Sequence, residues 1–302
     1  MIILTVGKSY VEIDGYASCI AYRELLKMQG VEAKFVTNAT FNYSVTKSLL
    51  NLSYTKDNYV TDLKDQYIIL DFSNKEFLPD FVQEENIIEL IDHHPGFEEY
   101  WDVKLDKKAV IEKIGSVATI IVEKYEQYNL IDRMDKDVAK LLMAAILDNT
   151  LNFTANITTD RDKEAYKRLQ IVSGELNFDE VYFNECQNEI ENNLEESITN
   201  DTKFQKTNDF LPEIIGQLTV WDIERLREKL GIIKQIMNNK GSKWIINIIS
   251  LKENMSYILY SNNEIRNNLI KLFDCNSNCD FVILKPAKLR KEIMGAALSK
   301  KY

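Results

Sequence analysis

The apolar positions of the first 95 residues fall in short blocks, IILTV, EAKFV, YIILD and NIIELI, and the stretch YASCIAYRELLKMQG between the first two has helical spacing up to Gly30. Strand-length apolar runs alternating with helices predict a parallel sheet covered by helices. In such sheets functional side chains collect at the carboxyl ends of the strands. Three blocks run into polar clusters at that end, GKSYVEID, DFSNKE and DHHPG, and these are expected to meet in one crevice.

Residues 115–174 read as helical, with GSVATIIVEKYEQY and DKDVAKLLMAAIL the clearest amphipathic stretches. The segment DNTLNFTANITTDRD that follows is too rich in Asn and Thr to be core. Around 175–195 the chain turns acidic and polar, and a domain boundary is expected there, giving domains at 1–184 and 192–302. Beyond it GQLTVWD, KWIINIISL, MSYILYS and FVIL read as strands, with helices at 222–239 and 263–273, which makes a smaller mixed α/β domain. The fold class is therefore α/β: a parallel-sheet domain covered by helices, a second mixed domain, and an active site expected in the cleft between them.

Composition narrows the function. With 302 residues, 45% of them apolar, the chain is long enough for two domains with cores of their own. The longest apolar run, LLMAAIL, is far short of the ~18 residues of a membrane span, and the start MIILTVGKSY lacks signal-peptide features, so a cytosolic protein without membrane partners is expected. The four cysteines suit a reduced compartment, and CNSNC, with no second pair or histidine nearby, reads as a loop rather than half a zinc site. A net charge of −10 argues against long nucleic acid as a partner but leaves room for a small phosphate compound in a local basic pocket.

The candidate chemistry sits at the strand ends. Both histidines of the chain, His93 and His94, stand side by side after Asp92; Glu12 and Asp14 are two positions apart; Asp71 follows an apolar strand. Carboxylates and imidazole delivered together suit a hard or borderline divalent cation such as Mn²⁺, Mg²⁺ or Co²⁺. Taken singly, each cluster reads as well as a helix cap or a solvated loop; their shared position after successive strands favours a site.

The tripeptide Asp92–His94 resembles the signature of the DHH phosphoesterase superfamily. GKSYVEIDGYASCIAYREL, Asp71, GSVAT and LDNTLNFTANITTDRD are similar to its other motifs, in order. NDTKF, IGQLTVWD and KLRKE extend the likeness to the C-terminal domain of family II, manganese-dependent, inorganic pyrophosphatases. The glycine-rich, histidine-bearing ending of the nuclease branches has no counterpart. The resemblance implies that Asp71 bridges metals, that Asp14 and His93 are ligands, that His94 faces the substrate and that Asp92 orients the histidines. It also implies that Lys203, Arg290 and Lys291 grip phosphates, that one or two ions bind per chain, and that the chain forms a homodimer.

Three positions depart from the family pattern. Lys8 stands where the family has a metal-binding histidine, Glu12 replaces an aspartate, and Asn149 falls on the family's fourth-motif aspartate, with Asp148 one residue early. One residue turns a helical side chain by roughly 100°, so Asp148 is no simple replacement. The remaining carboxylates balance one divalent cation better than two, and Lys8 is expected either to pair with Glu12 or to touch a phosphate. Three readings compete: pyrophosphate hydrolysis, hydrolysis of short polyphosphate or a nucleotide phosphoester, and a catalytically degenerate phosphate-binding or interaction module.

Overall fold

A computed structural model describes residues 1–52, 56–204, 210–275, 277 and 280–299, except for the side chain of Lys291. The chain divides into two compact units, residues 1–179 and 180–302.

The first unit is built on a five-stranded sheet of β1 (Ile2–Thr5), β2 (Ala33–Phe35), β3 (Gln66–Leu70), β4 (Ile87–Asp92) and β5 (Ala109–Ile111). The strands are parallel throughout and ordered β2-β1-β3-β4-β5. Its helices are α1 (Ile13–Met28), α2 (Lys47–Asn51), α3 (Glu98–Leu105), α4 (Val117–Gln127), α5 (Lys136–Asn149) and α6 (Asp160–Ser173). Successive strand residues point to opposite faces. Ile3, Tyr67, Ile69 and Leu90 accordingly pack with Trp101 of α3, while α1 contacts β1, β2 and β3 and packs against α4 and α5. From Leu141 to Leu147 every residue of α5 is buried, so this helix is apolar all round because it is enclosed between α1, α4 and α6. The strand order reverses direction between β1 and β3, and open α/β sheets bind ligands at such a switch point, outside the carboxyl ends of the strands.

The second unit opens with α7 (Phe178–Asn192) and α8 (Leu194–Asn200). The acidic stretch expected as a boundary is thus mostly helix, with Tyr182, Phe183, Cys186, Gln187 and Ile190 buried along one side of α7. Its sheet is ordered β10-β9-β8-β7-β6, with β6 (Thr202–Phe204), β7 (Ile214–Val220), β8 (Trp244–Ser250), β9 (Met255–Tyr260) and β10 (Val282–Leu284). Only β7 and β8 run parallel; the other pairs are antiparallel. All seven residues of β8 are buried, as a central strand with two covered faces requires. The expected helix at 222–239 begins as a 3₁₀ segment, Ile223–Lys229, before α9 (Leu230–Lys240). Two helices, α10 (Asn263–Phe273) and α11 (Arg290–Ser299), complete the unit. Among the described residues no helix is long and apolar enough to cross a membrane.

Candidate metal centre

The histidine pair emerges from β4, whose last residue, Asp92, is fully buried. One oxygen of Asp92, Oδ1, accepts the backbone N–H of His93 at 2.7 Å and Nδ1–H of His94 at 2.8 Å. Burial alone would raise the Asp92 carboxyl, but the hydrogen bond and charge of His94 outweigh it and hold the group below its ordinary value. The carboxylate therefore fixes the His94 tautomer and turns Nε2 outward on a ring that is 59% exposed. His93 is buried beside it, edge to face with ring centroids 4.5 Å apart. Its Nδ1 donates to the carbonyl of Ile114 at 3.0 Å, which leaves Nε2 facing Asp71 Oδ1 at 3.5 Å and Asp14 Oδ2 at 3.9 Å. Burial would lower the His93 pKa, yet the two carboxylates raise it to about 10, so the surroundings demand positive charge at this point.

Asp14, in the first turn of α1, is completely buried and satisfied from a distant segment. It accepts Ser116 Oγ–H at 2.8 Å and the backbone N–H groups of Val117 and Ala118 at 2.9 Å each, which seats it on the N-terminus of α4. Burial and the charge of Asp71 still push its carboxyl up to about 7. Asp71 follows β3 in the left-handed region, φ 65°, a conformation that aspartate tolerates better than most residues but that still costs energy. Its backbone N–H is held by the Ile91 carbonyl at 2.9 Å, and its Oδ1 is buried with no hydrogen-bond partner. Gly15 makes room for it. A Cβ there would stand 3.2 Å from Asp71 Oδ2 and 2.7 Å from Val6 Cγ1.

The other expected ligands stand further out. Glu12 caps α1 without a side-chain cap bond; burial and the charges of Asp71 and Asp148 raise its carboxyl to about 8. Asp148 and Asn149 close α5, and the Asn149 amide donates back to Ala145 O of its own helix at 3.4 Å. After Thr150, the residues Leu151, Asn152 and Phe153 all have left-handed φ, of 48°, 52° and 64°. That turn costs about 1–2 kcal/mol per residue for those with a Cβ. It is held by Asn152 N–H to Leu147 O at 2.9 Å and Phe153 N–H to Thr150 Oγ1 at 3.1 Å.

The Lys8 ammonium lies 3.8 Å from Asp80 Oδ1 on a half-exposed side chain, a weak solvated pair, where pairing with Glu12 was one of its two expected roles. In the second unit Lys203 is exposed on β6. Arg290 is engaged by Asp201, donating Nη1–H to its carbonyl at 2.5 Å and facing its carboxylate at 2.6 Å. The side chain of Lys291, together with Cys279 of the CNSNC loop, Lys300 and Lys301, lies outside the described residues.

Two features of the centre escaped the sequence reading. Asp162, fully buried in α6, accepts the Gly115 N–H at 3.1 Å and Thr119 Oγ1–H at 2.6 Å, and so holds the loop that holds Asp14. Its signal was present as the capping box Thr159–Asp162 at the start of α6. The second feature is a cavity of about 300 Å³ beside Asp71 and His94, where Tyr10, Phe72, Phe77 and Phe97 share the lining with Ser9, Glu12, Ser73 and Asn74. These aromatics are scattered over the chain, and only the fold brings them together.

Ligand atoms of Asp71, His93 and His94 lie within 4.8 Å of one another, and Asp14 Oδ2 stands 3.9 Å from the same Nε2 of His93 that faces Asp71. An orphaned buried carboxylate oxygen facing an imidazole nitrogen whose partner nitrogen is already committed fits a divalent cation. The fold and this centre define an α/β protein with a carboxylate–imidazole cluster at the switch point of a parallel sheet. Residues 2–146 match the DHH family, N-terminal domain, and the first unit carries a domain of that family. The chain is 25% identical over 301 residues to the manganese-dependent inorganic pyrophosphatase of Bacillus subtilis, covering 96% of this chain and 95% of that one. It is 28% identical over 253 residues to the enzyme of the same name from Methanocaldococcus jannaschii, covering 78% and 80%. In three dimensions it is similar to a Methanococcus jannaschii protein assigned to the family II inorganic pyrophosphatases, with a TM-score of 0.62, 23% identity and coverage of 99% and 98%. The two-domain α/β fold is of that kind.

Proposed function

We propose that the protein is a divalent-metal-dependent phosphohydrolase that cleaves a phosphoanhydride, with inorganic pyrophosphate as its substrate and Mn²⁺, Mg²⁺ or Co²⁺ as its cation. The observation that carries this reading is Asp71 Oδ1, buried without a hydrogen bond and 3.5 Å from Nε2 of His93, the ring nitrogen that Ile114 does not engage. Asp14, Asp71 and His93 would hold the ion, with Glu12, Asp148 and the Asn149 carbonyl as outer oxygen donors. A bound divalent ion supplies Lewis acidity toward phosphoryl oxygens and makes water a better nucleophile near neutral pH. His94, whose bond to Asp92 raises its pKa, presents Nε2–H to a phosphate oxygen in its imidazolium form, and Lys203, Arg290 and Lys291 belong to the same reading as phosphate-binding cations. The names of the relatives support pyrophosphate in particular.

A second reading, phosphate binding without turnover, is favoured by Lys8 turned to Asp80 and Asn149 turned back onto its helix. Release of phosphate from pyrophosphate, measured with each cation in the wild type and in Asp71→Asn, separates the two. The hydrolase shows metal-dependent turnover that the variant loses. A folded, metal-loaded protein that releases no phosphate from pyrophosphate leaves the binding reading standing.

A further inference from the structure

One face of the second sheet changes character along its length. At one end Ile215, Ile245 and Ile258 pack with Leu269 of α10 and Ile293 of α11. Further along the same face Gln217 lies beside Asn247 across β7 and β8, and Ser256 beside Ile249 across β8 and β9, so three polar side chains cross the sheet in a row. Asn247 and Ser256 are fully buried. What this row holds is backbone. Asn247 Nδ2–H donates to the Lys288 carbonyl at 2.7 Å; Ser256 Oγ accepts the Lys288 N–H at 2.9 Å and donates to the same carbonyl at 3.1 Å; Gln217 Oε1 accepts the Arg290 N–H at 2.7 Å.

For stability alone Asn247 is a poor choice. It is the central residue of WIINIIS, where an aliphatic side chain would suit the strand better. Its Oδ1 is buried with no hydrogen-bond partner, and because Nδ2 is committed to a carbonyl, reversing the amide would not help. Without Asn247 the Lys288 carbonyl would still have Ser256 as a donor. A residue that weakens its own strand while fixing one loop answers to the loop. That loop carries Arg290, which is pinned at both ends: its N–H by Gln217, and its guanidinium by the carbonyl of Asp201 at 2.5 Å and the carboxylate at 2.6 Å. Asp201 takes two of the five N–H donors of the guanidinium, and three remain.

We infer that Asn247, together with Gln217, is a positioning residue for anion binding: it fixes the Lys288–Arg290 segment so that the remaining donors of Arg290 are preorganised for a phosphate oxygen. The inference rests on the proposed role of Arg290 as a phosphate-binding cation, and Asn247 itself touches no substrate.

The test is calorimetric titration of the Mg²⁺-loaded full-length protein with imidodiphosphate, a pyrophosphate analogue whose P–N–P bridge resists hydrolysis. Wild type is compared with Asn247→Leu and Gln217→Met, which keep the size of the side chain and remove its hydrogen bond. Each variant binds imidodiphosphate about tenfold more weakly, the effect of one hydrogen bond to a charged group. Affinity for Mg²⁺ is unchanged in both, and the urea midpoint of Asn247→Leu does not fall. Wild-type affinity for imidodiphosphate in either variant overturns the inference. So does a lowered urea midpoint in Asn247→Leu, which would make Asn247 a core residue and nothing more. Absence of imidodiphosphate binding by the wild type overturns it as well. Pyrophosphate turnover is measured alongside. If the wild type releases no phosphate while its imidodiphosphate affinity depends on Asn247, the hydrolase reading fails and the positioning role stands. If pyrophosphate is hydrolysed with the same KM in wild type and both variants, the reverse holds.

Discussion

Asp162 Oδ2 accepts the backbone N–H of Gly115 at 3.1 Å across 47 residues of sequence, and through that bond α6 holds the turn that gives its donors to Asp14 of α1. The chain of contacts is short. Asp162 also takes Thr119 Oγ1–H at 2.6 Å and Thr159 N–H at 2.7 Å, so the Gly115–Thr119 turn is clamped from behind. The same turn gives three donors to Asp14.

Asp162→Ala should therefore act at two levels. Leaving several buried donors unpaired costs roughly 3 kcal/mol of stability, read by urea denaturation. Partners that orient metal ligands typically matter by about ten- to a hundredfold in metal affinity, so the dissociation constant for Mn²⁺, measured on the fraction that remains folded, should rise by that much. Stability lost with metal affinity unchanged would mean that Asp14 is positioned without the clamp.

Gly15→Ala is a sharper probe, because in an ordinary helix the change from glycine to alanine stabilises by about 1 kcal/mol. Here the added Cβ would meet Val6 Cγ1 at 2.7 Å and the Asp71 carboxylate at 3.2 Å. The expected sign is reversed: a loss of about 1–3 kcal/mol from overpacking, with weaker metal binding as Asp71 is displaced. Thermal denaturation with and without Mn²⁺ measures both, and a stabilised variant with intact affinity would refute the crowding.

What was legible in the sequence follows from the range of the interactions involved. β1, β3 and β4 are runs of buried aliphatic residues and announce themselves locally. β5 is three half-buried residues and does not. In α7 the buried positions 182, 183, 186, 187 and 190 keep helical spacing, but acidic neighbours mask it, so the helix itself was not legible. At the centre, the meeting of Asp14, Asp71 and His93 was legible because the ends of successive strands converge. Ser116 and Asp162 were not, since their role lies in contacts 102 and 47 residues away. The direction of Lys8 depends on Asp80, which no motif contains.

Lys8→Ala tests that last point. A side chain that is half exposed and paired with a carboxylate 97% exposed contributes little to stability. Neither the melting temperature nor the affinity for Mn²⁺ should move measurably. A gain in metal affinity of tenfold or more on removing the ammonium would show that Lys8 repels the cation from within the centre.

The crowding of acids predicts how the metal-stripped protein responds to pH. Burial together with the Asp71 charge holds Glu12 at about 8 and Asp14 at about 7, above the ordinary carboxyl values of 4.5 and 3.8. Asp71 and Asp14 hold His93 at about 10 against burial. Each folded-state pKa is raised, so the folded form binds protons that the unfolded chain releases. The stabilisation is complete below the unfolded values and is lost as pH climbs through the folded ones. The melting temperature without metal should thus fall steadily between about pH 5 and pH 9. A cation that replaces those protons should reverse the trend, adding about 2.7 kcal/mol at a hundredfold excess over its dissociation constant. Asp71→Asn removes the charge that raises the pKa of both Glu12 and Asp14 while keeping a side chain that tolerates the left-handed backbone. It should flatten the pH dependence and abolish the Mn²⁺-induced rise. A variant that keeps both would place the cation elsewhere than between Asp14, Asp71 and His93.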